Sequence, residues 1–182
     1  MFIQTQDTPN PKAIKFHLEQ ELGINDPVTI TRDDLAKSNL AKQLFDFSNV
    51  TIIFVAKDFI TINIDDSLKW PTLKPQFTAM IMDYLLSGMP IINKDDNIKT
   101  HKKLSEIEEQ IVELIEHRVR PSVAMDGGDI IFKEYKDGVV YVELNGACKG
   151  CPSSTITLKQ GIETMLQHYI PEITEVVALE NV

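Results

Sequence analysis

The run Asn93-Lys94-Asp95-Asp96-Asn97-Ile98-Lys99-Thr100-His101-Lys102-Lys103 is polar and has no apolar periodicity. Such a stretch has no face to bury and reads as a linker. Because it lies near the middle of 182 residues, it predicts two small domains rather than one large one. The expected division is 1–88, a linker over 89–103, and 104–182. Charge divides unevenly across it: residues 1–100 carry a net −3 and residues 101–182 a net −6, for −9 in all. That surplus of acid argues against nucleic-acid binding, which needs clustered Lys and Arg to neutralise phosphates. No apolar run reaches the roughly 18 residues that span a bilayer, so no membrane partner is expected. Met1-Phe2-Ile3-Gln4-Thr5 has neither the charged start and apolar stretch of a signal peptide nor the Arg content of a transit peptide. The expectation is a soluble intracellular protein, or a mature form whose targeting segment is gone.

In the first half, Thr8-Pro9-Asn10-Pro11 reads as a turn between strands at Phe2–Thr5 and Ala13–Leu18. Ser38–Phe47 suits a short helix capped by Ser38. Val50–Val55 and Phe59–Ile64 are rich in β-branched residues and flank Ala56-Lys57-Asp58, a hairpin pattern. Pro75 offers a first helical position, with Phe77, Ile81, Tyr84 and Leu85 repeating at helical spacing until Gly88. Phe2, Phe16, Phe45, Phe59 and Trp70 are the expected core aromatics.

In the second half, Ser105 and Glu108 form a capping-box pattern. Leu104, Ile107, Ile111, Leu114, Ile115 and Val119 make one apolar helix face, with Arg118 and Arg120 near its negative end and Pro121 beyond. Asp129–Tyr135 and Val139–Leu144 flank Lys136-Asp137-Gly138, a second hairpin. A helix over Ser154–Tyr169 and a strand over Glu175–Leu179 follow. The order α-β-β-α-β predicts two helices on one face of a small sheet, so the fold class is α+β with two small domains.

The chain has two cysteines, Cys148 and Cys151, in one Cys-x-x-Cys. A disulfide framework and a four-cysteine site within one chain are both impossible on that count. The motif leaves a strand and enters a helix that Ser153 or Ser154 can cap, whose N-terminal partial positive charge favours thiolate. With the Lys149 ammonium nearby, thiol pKa values of roughly 3.5–7.5 are expected. Thiolate is both a metal ligand and a redox nucleophile. Spacing therefore leaves open half of an iron–sulfur site shared by two chains, a dithiol–disulfide oxidoreductase, half of a zinc site, and an incidental pair.

Further residues bear on this choice. Met125-Asp126-Gly127-Gly128-Asp129 followed by Gly146-Ala147-Cys148-Lys149-Gly150-Cys151-Pro152-Ser153-Ser154-Thr155-Ile156-Thr157-Leu158-Lys159-Gln160-Gly161-Ile162-Glu163 resembles the C-terminal domain of NifU, shared by Nfu iron–sulfur proteins. Gln4-Thr5, Thr8-Pro9-Asn10-Pro11, Lys15-Phe16, Leu44-Phe45, Asp58-Phe59-Ile60-Thr61 and Trp70 to Pro75 resemble the Nfu N-terminal domain. The resemblance implies a scaffold or carrier that binds a cluster, usually [4Fe–4S] with [2Fe–2S] as a transient form, and delivers it to apo-proteins. Its ligands would be Cys148 and Cys151, from two subunits of a cluster-bridged homodimer supplied by upstream assembly factors. Lys149 departs from the smaller residue that the resemblance leads one to expect, and Asn49 stands where the family often has Gly. Met1 tilts the expected location toward bacterial cytoplasm, with the mitochondrial matrix for a processed organellar homologue as the alternative. The dithiol oxidoreductase, with Cys148 attacking and Cys151 resolving, is the alternative.

The remaining features favour plain readings. Asp126-Gly127-Gly128-Asp129 is expected to be a tight turn, and Gly161 a close backbone approach to the sheet. His17, His101, His117 and His168 lack metal-site spacing to the cysteines. No Ser-His-Asp arrangement or Walker loop is legible, so the chain is not expected to be an enzyme.

Overall fold

The computed structural model describes residues 2–24, 26–93, 104–150 and 152–179, with backbone alone for residues 152–155 and 157. It divides into two compact units, Met1–Asn97 and Ile98–Val182. Positions 94–103 of the expected linker lie outside the described residues. Among the described residues, no helix is long and apolar enough to cross a membrane. Both units mix helices with a separate sheet, as the α+β expectation requires.

The first unit builds one antiparallel sheet from β1 (Ile3–Asp7), β2 (Ala13–Leu18), β3 (Val28–Ile30), β4 (Val50–Val55) and β5 (Phe59–Ile64), in the order β1-β2-β5-β4-β3. Helices α1 (Asn39–Phe45) and α2 (Trp70–Leu86) contribute Leu40, Leu44, Phe77 and Ile81 to a core with Phe16, Ile60 and Ile62. The Ser38 hydroxyl accepts a hydrogen bond from the Ala41 N–H at 3.1 Å, the expected cap. The Lys15 ammonium lies 4.3 Å from the Phe59 ring centroid, its stem lying along that aromatic surface.

Four expectations here are corrected. The first strand runs from Ile3 to Asp7 rather than from Phe2 to Thr5, and Phe2 is 62% exposed because it precedes an edge strand; Phe16, Phe45, Phe59 and Trp70 are buried. The Ser38-capped helix ends at Phe45, two residues short of Phe47. Helix α2 begins at Trp70, with Pro71 in its first turn and Pro75 inside. Pro75 is tolerated there because, so near the N-terminus, its missing N–H removes a single bond. Strand β3 carried no sequence signal, since three residues are too few to show a period.

The second unit follows the order α3 (Glu106–Leu114), α4 (Arg120–Met125), β6 (Gly128–Lys136), β7 (Val139–Gly146), α5 (Pro152–Tyr169) and β8 (Glu175–Leu179). Its sheet has the order β6-β7-β8, with β6 antiparallel and β8 parallel to β7. Ile111, Val123, Ile162 and Leu166 from the helices share one core with Ile130, Val140, Val142, Leu144 and Val176 from the sheet. The capping box is formed: the Ser105 hydroxyl accepts from the Glu108 N–H, and the Glu108 carboxylate accepts from the Ser105 N–H.

The first helix of this unit does not stop before Pro121. It passes through a π-helical turn, Ile115–Val119, and continues as α4 to Met125. The Arg120 N–H donates to the Ile115 carbonyl, five residues back, and Pro121 falls in the first turn of α4, where its missing donor is least costly. Arg118 and Arg120 are therefore within the helical run and not at its negative end.

Asp137 and Gly138 join β6 to β7 with φ of 51° and 84°, the paired positive values of a turn whose twist matches the strands. A Cβ at Gly138 would also lie 2.9 Å from Thr174 Oγ1 and 3.1 Å from the Glu172 carbonyl oxygen. Gly138→Ala should cost about 1–3 kcal/mol in urea unfolding. An unchanged midpoint would show that neither the φ nor the close approach is constraining.

Candidate metal-binding site

The site grows from the end of β7. Asn145 is buried, and Gly146, at φ 63°, turns the chain back on itself. The Ala147 N–H then donates to the Gly127 carbonyl at 3.0 Å, and the Lys149 N–H to the Gly146 carbonyl at 3.2 Å. These bonds lay the cysteine loop on the α4–β6 connection. Gly150, at φ 73°, ends the described part of the loop, and α5 begins two residues later.

Cys148 is 7% exposed and packs with the apolar core of its unit. Directly beneath it is Gly128: a Cβ built there would sit 2.4 Å from Cys148 Sγ, 3.0 Å from the Asn145 carbonyl oxygen and 3.2 Å from Cys148 Cβ. Only hydrogen fits between that backbone and the thiol. The Asp126–Asp129 stretch is thus the expected tight turn, with Gly127 at φ 78°, and it is also the floor of the cysteine site. Cys151 lies outside the described residues. Because α5 starts at Pro152, Ser153 and Ser154 belong to its first turn rather than to the cap position. Proline at the opening position needs no N–H partner, which is why the helix starts there.

A charged clamp fixes the floor. Asp129 is 3% exposed, and its carboxylate accepts from Arg120 Nε at 2.7 Å and from Arg120 Nη2 at 3.0 Å. Arg120 Nη1 also donates to both Glu116 oxygens, at 2.7 and 2.8 Å. The bonds to Asp129 foremost, then Glu116, hold the guanidinium above its ordinary pKa against the opposing effect of burial. The planar fork of Arg matches the carboxylate geometry, so the start of α4 is pinned to the start of β6. The nine-residue separation of Arg120 and Asp129 gave no sequence signal for this pair; the adjacent glycines were the only hint of a close approach.

His17 lies in the first unit, 3.9 Å from Asp58; His168 stacks edge-on with Tyr169; His101 lies outside the described residues. Among the described residues, no group of three or more His, Cys, Asp or Glu side chains is placed to hold a metal ion. The chemistry at Cys148 is that of a soft sulfur donor on a rigid backbone, which fits thiolate-ligated iron and needs further donors to complete a coordination sphere.

Comparisons with known proteins bear on both units. The family described as "Scaffold protein Nfu/NifU N terminal" matches residues 3–88, and the NifU-like domain matches residues 111–177. A mitochondrial NFU1 iron–sulfur cluster scaffold homologue of Drosophila willistoni is 43% identical over 181 residues, covering 97% of this chain and 63% of that protein. The human protein of the same name is 43% identical over 183 residues, covering 95% of this chain and 70% of its own length. The solution structure of a NifU-like protein from Saccharomyces cerevisiae is 30% identical, covers 52% of this chain and 87% of that one, and superposes with a TM-score of 0.46. The chain spans a little under two thirds of the length of the Drosophila relatives.

Proposed function

Since the chain belongs to the Nfu family of iron–sulfur cluster scaffold proteins, we propose that it holds a cluster as cargo on the thiolates of Cys148 and Cys151 and passes it to apo-proteins. The observation that carries this reading is the seating of Cys148: a soft donor on a glycine floor, at the end of a strand and the approach to a helix.

Two cysteines per chain supply half of the four thiolates that a cluster usually takes. In this reading two chains donate Cys148 and Cys151 each to one [4Fe–4S] cluster, with [2Fe–2S] as a transient form. Upstream assembly factors load the site. Thiolates of the acceptor then displace the four cysteines one at a time, each iron keeping a sulfur ligand throughout. A site at the seam between two chains opens by separating them, which suits release better than permanent retention. The protein is thus a carrier and not an enzyme, and the scaffold names of the relatives give the dithiol oxidoreductase no support. Their mitochondrial names support the organellar alternative over bacterial cytoplasm. The first domain is assigned the recognition of partners; Ile91, buried in its core, and the Asn93 N–H, which donates to the Lys37 carbonyl at 2.8 Å, belong to it rather than to the linker expected over 89–103.

Anaerobic reconstitution with iron and sulfide, followed by native mass spectrometry, tests the reading. The expected species is a dimer with four irons and four sulfides. A monomer with an internal disulfide, or a zinc-bridged dimer that refuses iron, would overturn it.

A further inference from the structure

We propose that the cavity between the β1–β2 turn and the first turns of α2 binds an extended, acid-bearing peptide segment of a partner. One backbone carbonyl of the segment accepts from Trp70 Nε1, and one Asp or Glu carboxylate takes Lys74 from Asp7. The inference deepens the recognition of partners assigned above to the first domain and rests on it. The cavity holds about 490 Å³, within the range of roughly 300–1,000 Å³ that ligand sites occupy. Asp7, Pro11, Ile14, Trp70, Pro71 and Lys74 are among its walls. Trp70 is 6% exposed, and its indole N–H has no acceptor among the described residues. Buried donors are almost always partnered, so an orphan on a residue of the cavity wall marks a place where an acceptor comes from outside.

The other polar groups say what kind of acceptor. Lys74 Nζ donates to Asp7 Oδ1 at 3.2 Å, but the Asp7 side chain is 87% exposed and that of Lys74 33%. A pair so open to water contributes little, and a second carboxylate displaces the first at small cost. The Thr8 hydroxyl is already engaged, donating to the Asn10 and Ala13 carbonyls at 2.9 Å each. An indole N–H and an ammonium are thus the donors offered, set among prolines and Ile14, which calls for an oxygen-bearing ligand with apolar flanks. An extended peptide fits better than a free acid because the cavity meets an open strand edge. Asp7 is the last residue of β1, β1 stands at the edge of its sheet, and no strand pairs with its outer side among the described residues. Such an edge presents backbone N–H and C=O groups to a further extended segment.

Selection from blocked peptides of random sequence on the immobilised full chain, without iron or sulfide, tests the site. The retained peptides should share an Asp or Glu flanked by apolar residues. Trp70 is the single tryptophan of the chain, so its indole N–H resonance reports the cavity, and a selected peptide should move it downfield as the hydrogen bond forms. Replacing the acid of that peptide by its amide should weaken binding about tenfold or more, and Lys74→Gln should do the same. Combining the two changes should add little, since both remove one contact. Asp7→Asn, which removes the competing carboxylate, should tighten binding about two- to fivefold. Neither side chain is buried, so unchanged melting is expected for both variants. Failure to retain any peptide, retention without a preferred acid, an unmoved indole resonance, or unchanged binding by Lys74→Gln would overturn the site. So would equal binding of free glutarate at the peptide concentration, which would assign the cavity to a small dicarboxylic acid. A selected peptide that binds as expected yet leaves cluster transfer to apo-proteins unslowed would remove the recognition role and leave the peptide site standing.

Discussion

Cys148→Ser and Cys151→Ser should each abolish cluster retention, with iron and sulfide after reconstitution falling from four per dimer to background. A hydroxyl is a poor substitute for thiolate on iron, and loss of one residue removes two of four ligands from a two-fold site. The fold should survive. Cys148 is 7% exposed within the core, so its replacement should lower unfolding free energy by only about 1 kcal/mol, by placing a hydroxyl among apolar neighbours. Gly128→Ala extends the test without touching a sulfur. Its Cβ would stand 2.4 Å from Cys148 Sγ and 3.0 Å from a backbone oxygen, so the loop must move. Retention should drop at least tenfold, and the overpacking should lower unfolding free energy by about 1–3 kcal/mol. Full clusters in the double cysteine variant would end the thiolate assignment. Full clusters in Gly128→Ala alone would show that the floor does not position the thiol.

Arg120→Met should be the most damaging substitution outside the ligands. It leaves the Asp129 carboxylate, 3% exposed, without the two bonds it accepts at 2.7 and 3.0 Å. An unpaired buried charge costs about 3–5 kcal/mol, and the lower end applies because the Arg120 side chain is itself 28% exposed. Adding Asp129→Asn to the same variant should recover a substantial part of the loss, since the amide removes the charge that has no partner. Urea unfolding of the three variants closes the double-mutant cycle. A loss under about 1 kcal/mol for Arg120→Met would mean that water replaces the guanidinium and that the clamp is ornamental. Cluster lifetime should fall with stability, because the clamp anchors the connection that carries Gly127 and Gly128.

Features written in neighbouring residues are legible in the chain itself. The hairpin of Val50–Val55 and Phe59–Ile64 has the bounds that its β-branched runs and intervening turn predict. Ser38 caps α1 and Ser105 pairs with Glu108, because capping depends on contacts within three residues. The order α-β-β-α-β and the α+β class follow from such local signals taken in series. The cysteine count alone argues that no single chain completes a four-sulfur site.

Elsewhere the local signal points to the wrong place, or to none. Pro75 resembles a helix start, yet Trp70 and Leu73 extend the buried stripe of α2 past it. Pro121 resembles a stop, yet the π-helical turn before it carries the helix on to Met125. In both cases burial of an apolar face outweighs the loss of one backbone bond. The site divides the same way. The cysteines and their glycines can be named from the chain, since ligand chemistry belongs to residue type. That Gly128 lies under Cys148, and that Arg120 grips Asp129 to hold it there, is decided only by tertiary structure: β6 and β7 must pair before residues twenty positions apart meet, and no local pattern records that meeting.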